Sequence, residues 1–89
     1  MIMKARKFFM EAMNRIPNDI ERQVNLSMSV SDKIADILKG RGMTQKDFAK
    51  GIGRSEAEVS RWLGGTHNFT LSTIAKISAY FGEDIIHIS

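Results

Sequence analysis

The side chains best suited to specific chemistry lie between positions 55 and 61, in the segment SEAEVSR. Arg61 can donate two parallel hydrogen bonds to a guanine or, as an equal alternative, bind a phosphate. Ser60 can bond to several base edges, and Ala57 can touch a thymine methyl group. Two roles stay open for Glu56, whose carboxylate can accept from cytosine or simply favour the start of a helix. With Ser55, these residues are the candidates for contacting base edges, so the implied partner is double-stranded DNA.

The same residues belong to a pattern typical of two short helices joined by a tight turn, over residues 44–63. Ala49 permits close approach of the helices, Gly53 suits a turn with positive φ, and Val59 and Trp62 follow at helical spacing. In such a helix-turn-helix the second helix enters the major groove. We therefore expect Val59 and Trp62 to face inward and the candidate base-contacting residues to face outward.

Both helices of the pattern have start signals. Thr44 and Asp47 are spaced for a capping box, in which each side chain bonds to the other residue's backbone N–H. Ser55 and Glu58 repeat this spacing. The segment Gly51 to Arg54 supplies the break between the helices.

The stretch from about Val30 to Phe81 resembles the DNA-binding domain of the Cro and lambda-repressor (XRE) family. The likeness rests on MTQKDFA at the first motif helix, SEAEVSRWLGG over the second, HNFTLSTIAKISAYFG behind it, and a preceding helix with Ile34, Ile37 and Leu38 inward. It implies an all-α, lambda-repressor-like bundle of four to five helices. It also implies a sequence-specific transcriptional regulator, a dimeric repressor of its own operon.

A second resemblance concerns the run GTHNFTLSTIAKI, the extended N-terminal segment and the short hydrophobic tail. Together these are similar to HigA-type antitoxins, small regulators encoded beside a ribonuclease toxin. This resemblance implies an alternative function, in which the chain neutralises a toxin by binding it directly and binds DNA as a second activity.

Phosphate contacts are expected from groups around the helix ends. Gln45 resembles the glutamine that the family uses to hold the DNA backbone, and its own N–H adds an anion site at a helix start. The neighbours expected to join it are Lys46, Arg54, Thr66, His67 and Asn68. For Thr66 and Asn68 turn formation is an equal alternative, because both are common turn residues.

The helix before the motif is predicted to begin early. Asn18 and Glu21 are spaced for a capping box, which starts a helix running toward Gly40. Residues 24–31 alternate apolar and polar side chains, so period alone suggests a strand there, whereas the resemblance favours helix.

The last helix follows the motif closely. Gly64 and Gly65 end the second motif helix, residues 66–69 form a loop, and Thr70 caps the next helix. Its predicted inward stripe is Leu71, Ile74, Ile77 and Phe81.

Two flanking segments are candidates for protein contacts. Residues 1–17 form an extension in which Lys4 to Ile16 predicts an amphipathic helix with Phe8, Phe9 and Met13 on its apolar face. These side chains either bind a toxin or complete the monomer core or a dimer interface.

The other flanking segment is the tail, residues 83–89, which contains Ile85, Ile86 and Ile88 and predicts a short strand or an extended tail. A lone strand is not stable by itself, so it needs a strand from a second protomer or a groove on its own domain. A homodimer is the commoner solution for a regulator of paired half-sites.

Composition agrees with a small binding protein. The 89 residues leave room for one domain, residues 18–82, and the absence of cysteine excludes disulfides and thiolate metal sites. We expect no metal, no cofactor and no catalysis, since neither a phosphate loop nor a nucleophile elbow occurs. No apolar run approaches the ~20 residues that span a bilayer, so a cytoplasmic protein with no membrane partner is expected.

Positive charge concentrates over the motif. The net charge of the chain is +3, and the stretch 39–61 has the same excess. Its basic residues are Lys39, Arg41, Lys46, Lys50, Arg54 and Arg61. A basic face over a helix-turn-helix is expected in a protein that binds the phosphates of DNA.

Overall fold

The computed structural model describes residues 17–87. Within that range the chain forms four helices, which are α1 (Asn18–Arg41), α2 (Gln45–Ile52), α3 (Glu56–Leu63) and α4 (Leu71–Phe81). Helix α3 packs against both α2 and α1. The predicted all-helical helix-turn-helix bundle is confirmed for these residues, whereas the helix predicted over residues 4–16 lies outside them.

One core joins all four helices. Its largest fully buried side chains are Ile34 of α1, Phe48 of α2, Val59 and Trp62 of α3, and Ile77 of α4. The ring of Phe48 lies 6.0 Å from that of Trp62, centroid to centroid. The inward positions predicted for Ile34, Val59, Trp62 and Ile77 are therefore confirmed.

Helix α1 is continuous through residues 24–31, so the helical prediction is confirmed and the strand alternative is wrong. Ser27 and Ser31 are buried beside Val30, and the Ser31 hydroxyl donates to the carbonyl of Trp62. Small polar residues at helical spacing thus let α3 approach α1 closely.

The predicted capping box at the start of α1 is also wrong. Pro17 occupies the N-cap position, with no side-chain hydrogen bond, and Asn18 is already helical. The backbone N–H groups of Ile20 and Glu21 donate to the carbonyl of Pro17 at 3.1 and 3.0 Å. The helix therefore begins one residue earlier than a cap at Asn18 requires.

Leu71 departs from the predicted inward stripe of α4, because its side chain is 79% exposed. A helix advances about 100° per residue, so two steps of three residues place Leu71 roughly 120° away from Ile77 around the helix. Ile77 and Phe81 are buried and Ile74 is half-buried, as the stripe requires.

The tail forms no strand over residues 83–87. Ile85 is expected to contact a second protomer or to lie in a groove on its own domain, and the second alternative is confirmed, because its side chain lies in the core of its own domain with 6% exposure. Its backbone N–H donates to the Ser78 hydroxyl at 3.1 Å, which holds the tail on α4. Ile86 is half-buried against the same core, and Ile88 lies outside the described residues.

Candidate nucleic-acid interface

The start of α2 is fixed by the predicted capping box, which is confirmed. The Asp47 N–H donates to Thr44 Oγ1 at 3.0 Å, and the Thr44 N–H donates to Asp47 Oδ2 at 3.1 Å. Hydrogen bonds to the carboxylate from the backbone N–H and the hydroxyl of Thr44, with the nearby charges of Lys46 and Lys50, hold the pKa of Asp47 below its ordinary value. Gln45 and Lys46 are thereby placed in the exposed first turn, where free N–H groups and the helix dipole favour an anion.

The turn between α2 and α3 is set by Gly53, which has the predicted positive φ, 74°. The N–H of Arg54 donates to the carbonyl of Ala49 at 2.9 Å and closes the end of α2. Ala49 is buried, as expected for a close helix approach. The chain therefore reverses in a fixed geometry, and the start of α3 is positioned by the end of α2.

Only half of the second capping box forms. Ser55 accepts from the Glu58 N–H at 3.1 Å, but the Glu58 carboxylate pairs with Arg54 at 3.4 Å. Sequence reasoning missed this ion pair, because Arg54 lies in the turn before α3 and the rule for charged pairs four residues apart concerns residues on one helix. The pair holds the Arg54 side chain beside the turn between α2 and α3.

Helix α3 divides into a buried face and an exposed face. Val59 and Trp62 are buried and fix the rotation of the helix about its axis. The five candidate base-contacting residues, Ser55, Glu56, Ala57, Ser60 and Arg61, are all exposed. Hydrogen-bonding, charged and methyl groups thus share one surface that does not contribute to the core.

A cleft of about 350 Å³ lies beside the end of α3. It is lined by Arg61, Gly64, Thr66, His67 and Asn68. The His67 ring meets the edge of Phe69 at 4.8 Å between centroids, which ties the loop to a half-buried side chain. The structure thus brings Arg61 together with three of the predicted phosphate-contacting residues, while Gln45 and Lys46 lie apart at the start of α2.

Arg41 does not belong to this surface. It donates to the carbonyl of Phe81 at 2.7 Å, pairs with Glu83 at 3.4 Å and lies over the Phe81 ring. Lys33 approaches Glu83 at 3.2 Å. Of the basic residues predicted between 39 and 61 to face phosphates, Arg41 therefore stabilises the end of α4 instead.

No three His, Cys, Asp or Glu side chains in residues 17–87 are grouped as ligands for a metal ion. None of the helices over these residues is long and apolar enough to cross a membrane.

A family model described as the Cro/C1-type HTH DNA-binding domain matches residues 33–86. The matched range is more than half of the chain and includes α2, α3, α4 and the second part of α1. Searches of the curated proteins and of the solved structures found no match.

Proposed function

Since this chain belongs to the Cro/C1-type helix-turn-helix family of DNA-binding domains, we propose that it is a dimeric repressor that binds a specific operator and regulates its own operon. The observation that supports this most is the exposed face of α3. There Arg61 and Ser60 stand free of the core, on a helix held in place by Val59 and Trp62.

In the proposed complex α3 lies in the major groove. Its eight residues span about 12 Å, similar to the width of that groove. Arg61 pairs with a guanine, and Ser60 and Ala57 contact neighbouring bases. Because the helix is anchored through buried side chains, its backbone is already ordered when these groups meet the bases.

Phosphate groups flank α3 on both sides. Gln45 and Lys46 bind one phosphate through their side chains and the free N–H groups of α2. Thr66, His67 and Asn68 bind another at the cleft they share with Arg61. Arg54, held by Glu58, lies at the turn between these contacts. The phosphates fix the register in which the bases are read.

A dimer is proposed because one copy of the chain contacts only a short stretch of DNA. A single short recognition helix touches only a few base pairs, and helix-turn-helix dimers read two half-sites about 34 Å apart. Two copies related by a two-fold axis therefore match a palindromic operator.

The test is a titration of the purified chain on the DNA upstream of its own gene, against a shuffled duplex of equal length, at several salt concentrations. The proposal expects tight binding to the upstream DNA that persists near physiological salt, and weak, salt-sensitive binding to the shuffled duplex. Two copies per duplex establish the dimer. Equal affinities for the two duplexes would rule out autoregulation.

One observation favours the alternative function, an antitoxin that binds a ribonuclease toxin. The first half of α1 exposes Ile20, Val24 and Met28, outside the DNA-binding face. Such a helix face suits a hydrophobic groove on a partner. The test mixes the chain with the product of the adjacent gene and measures both binding and RNA cleavage. Binding without loss of cleavage, or no binding, counts against the antitoxin function.

A further inference from the structure

An apolar groove of about 370 Å³ runs between α1 and α4, which we call the α1–α4 groove. Its apolar walls are Leu26, Val30, Phe69, Leu71, Ile74 and Ile86. Leu71 is 79% and Leu26 53% exposed, so no other part of residues 17–87 covers them. Apolar side chains that lie together on one concave surface indicate a binding site for an apolar segment.

We propose that residues 1–16 of the same molecule occupy the α1–α4 groove. The segment is attached next to the groove. The described chain begins at Pro17, and Asp19, two residues later, already lines the groove. Residues 1–16 are therefore joined to the domain at one end of this groove.

The segment is also long enough to cover the groove. Along α1 the groove extends from Asp19 to Val30, about 17 Å at the rise of an α-helix. In the helical conformation that the sequence predicts, Lys4 to Ile16 spans about 20 Å. A segment folded back along α1 thus covers the groove from end to end.

The side chains of the segment suit the groove. Phe8, Phe9 and Met13 are large apolar residues for an apolar groove. In a segment folded back from Pro17, Arg15 comes closest to Asp19, the acidic residue that lines the groove in the first turn of α1. The apolar residues therefore match the walls of the groove, and Arg15 matches its acidic end.

The covalent link favours this segment over a second copy of the chain. A short tether gives the segment an effective concentration in the millimolar range. A second copy, or any other protein, must compete with that concentration to enter the groove. The segment of the same molecule is the favoured occupant.

The chain has no cysteine, so a pair of introduced cysteines reports proximity directly. In the full chain, the pair Ala12→Cys and Gln23→Cys places one thiol in the segment and one on the groove lining. The matched control is Ala12→Cys with Asn25→Cys, because Asn25 is exposed and lies about 200° around the helix from Gln23. The two loops differ little in length, so closure entropy alone gives similar rates. None of the large apolar residues is changed.

We expect the Gln23 pair to form an intramolecular disulfide about tenfold faster than the Asn25 pair, at a rate independent of protein concentration. Equal rates for the two pairs overturn the proposal. Disulfide-linked dimers that increase with protein concentration overturn it in favour of a second copy. Neither result depends on DNA binding, so the proposed function is judged separately.

A second measurement uses the same segment without new thiols. Leu26→Asp places a charge in the groove at a half-exposed position outside the core, and Asn25→Asp is its control. We expect trypsin to cleave after Arg6, Lys7 and Arg15 about tenfold faster in Leu26→Asp than in the control. Equal cleavage rates would show that the segment does not lie in the groove.

Discussion

At the scale of single residues, Arg61 and Gln45 separate base recognition from phosphate binding. We predict that Arg61→Ala weakens operator binding by about 1–3 kcal/mol and relaxes selectivity at one base pair, whereas Gln45→Ala weakens binding to all sequences alike. Both side chains are exposed, so circular dichroism of the two variants should be unchanged. The measurement is the Kd for operator and random duplexes. An unchanged ratio in Arg61→Ala would show that α3 is not docked as proposed.

Asp47 makes a pH-dependent contribution to the same domain. Its folded pKa lies below the ordinary 3.8, chiefly because the Thr44 N–H and hydroxyl bond to it. The carboxylate therefore adds stability above about pH 3.8, and this stability is lost as the pH falls through the folded pKa. We predict that Asp47→Asn is less stable than the native chain at neutral pH and that the difference shrinks in acid. Urea unfolding across that pH range measures it, and a constant difference would contradict the prediction.

At the scale of elements, the turn that joins α2 and α3 depends on Gly53. A Cβ at Gly53 meets no atom within 4 Å, but its φ of 74° costs an L-residue roughly 1–2 kcal/mol. Gly40 has equally open space but lies within α1, where alanine is favoured by up to about 1 kcal/mol. We predict opposite shifts in denaturation midpoint, lower for Gly53→Ala and higher for Gly40→Ala. A midpoint for Gly53→Ala equal to that of the native chain would contradict the strained turn.

The elements also show where sequence reasoning succeeds and fails. The capping box at Thr44 and the buried Val59 and Trp62 were predictable because spacing within one helix determines them. Leu71 and the tail were not, since tertiary contacts decide them. Leu71 rotates away from the core, and Ile85 packs against α4 instead of pairing in a strand.

At the candidate interface, too, the sequence predicts what spacing within a helix determines but not what tertiary contacts determine. Its exposed residues on α3 follow from the inward stripe, so the sequence identifies them. Arg41 falls within the basic stretch of the sequence, but its partner Glu83 lies 42 residues away along the chain and no local rule connects them. The α1–α4 groove likewise exists only once residues distant in sequence are packed together.

At the scale of the whole molecule, one core supports both the fold and the recognition surface. Ile77 of α4 is fully buried in the core that also holds Val59 and Trp62 of α3. We predict that Ile77→Ala lowers the free energy of unfolding by about 2–5 kcal/mol, because it leaves a cavity. Small domains have only about 5–15 kcal/mol in total, so operator binding should weaken as the folded fraction falls. Ile20→Ala, at a position 46% exposed, is the control and should cost much less.

The measurement for Ile77→Ala follows Trp62 fluorescence and circular dichroism in the same urea titration, since Trp62 is the single tryptophan. Because all four helices of the described chain contribute to the core, the two signals should change together in a single transition. If Trp62 became exposed while helicity persisted, α3 would be able to leave the core independently. Anchoring by Val59 and Trp62 would then not explain how the recognition face is held, and DNA affinity would no longer follow the global stability of the domain.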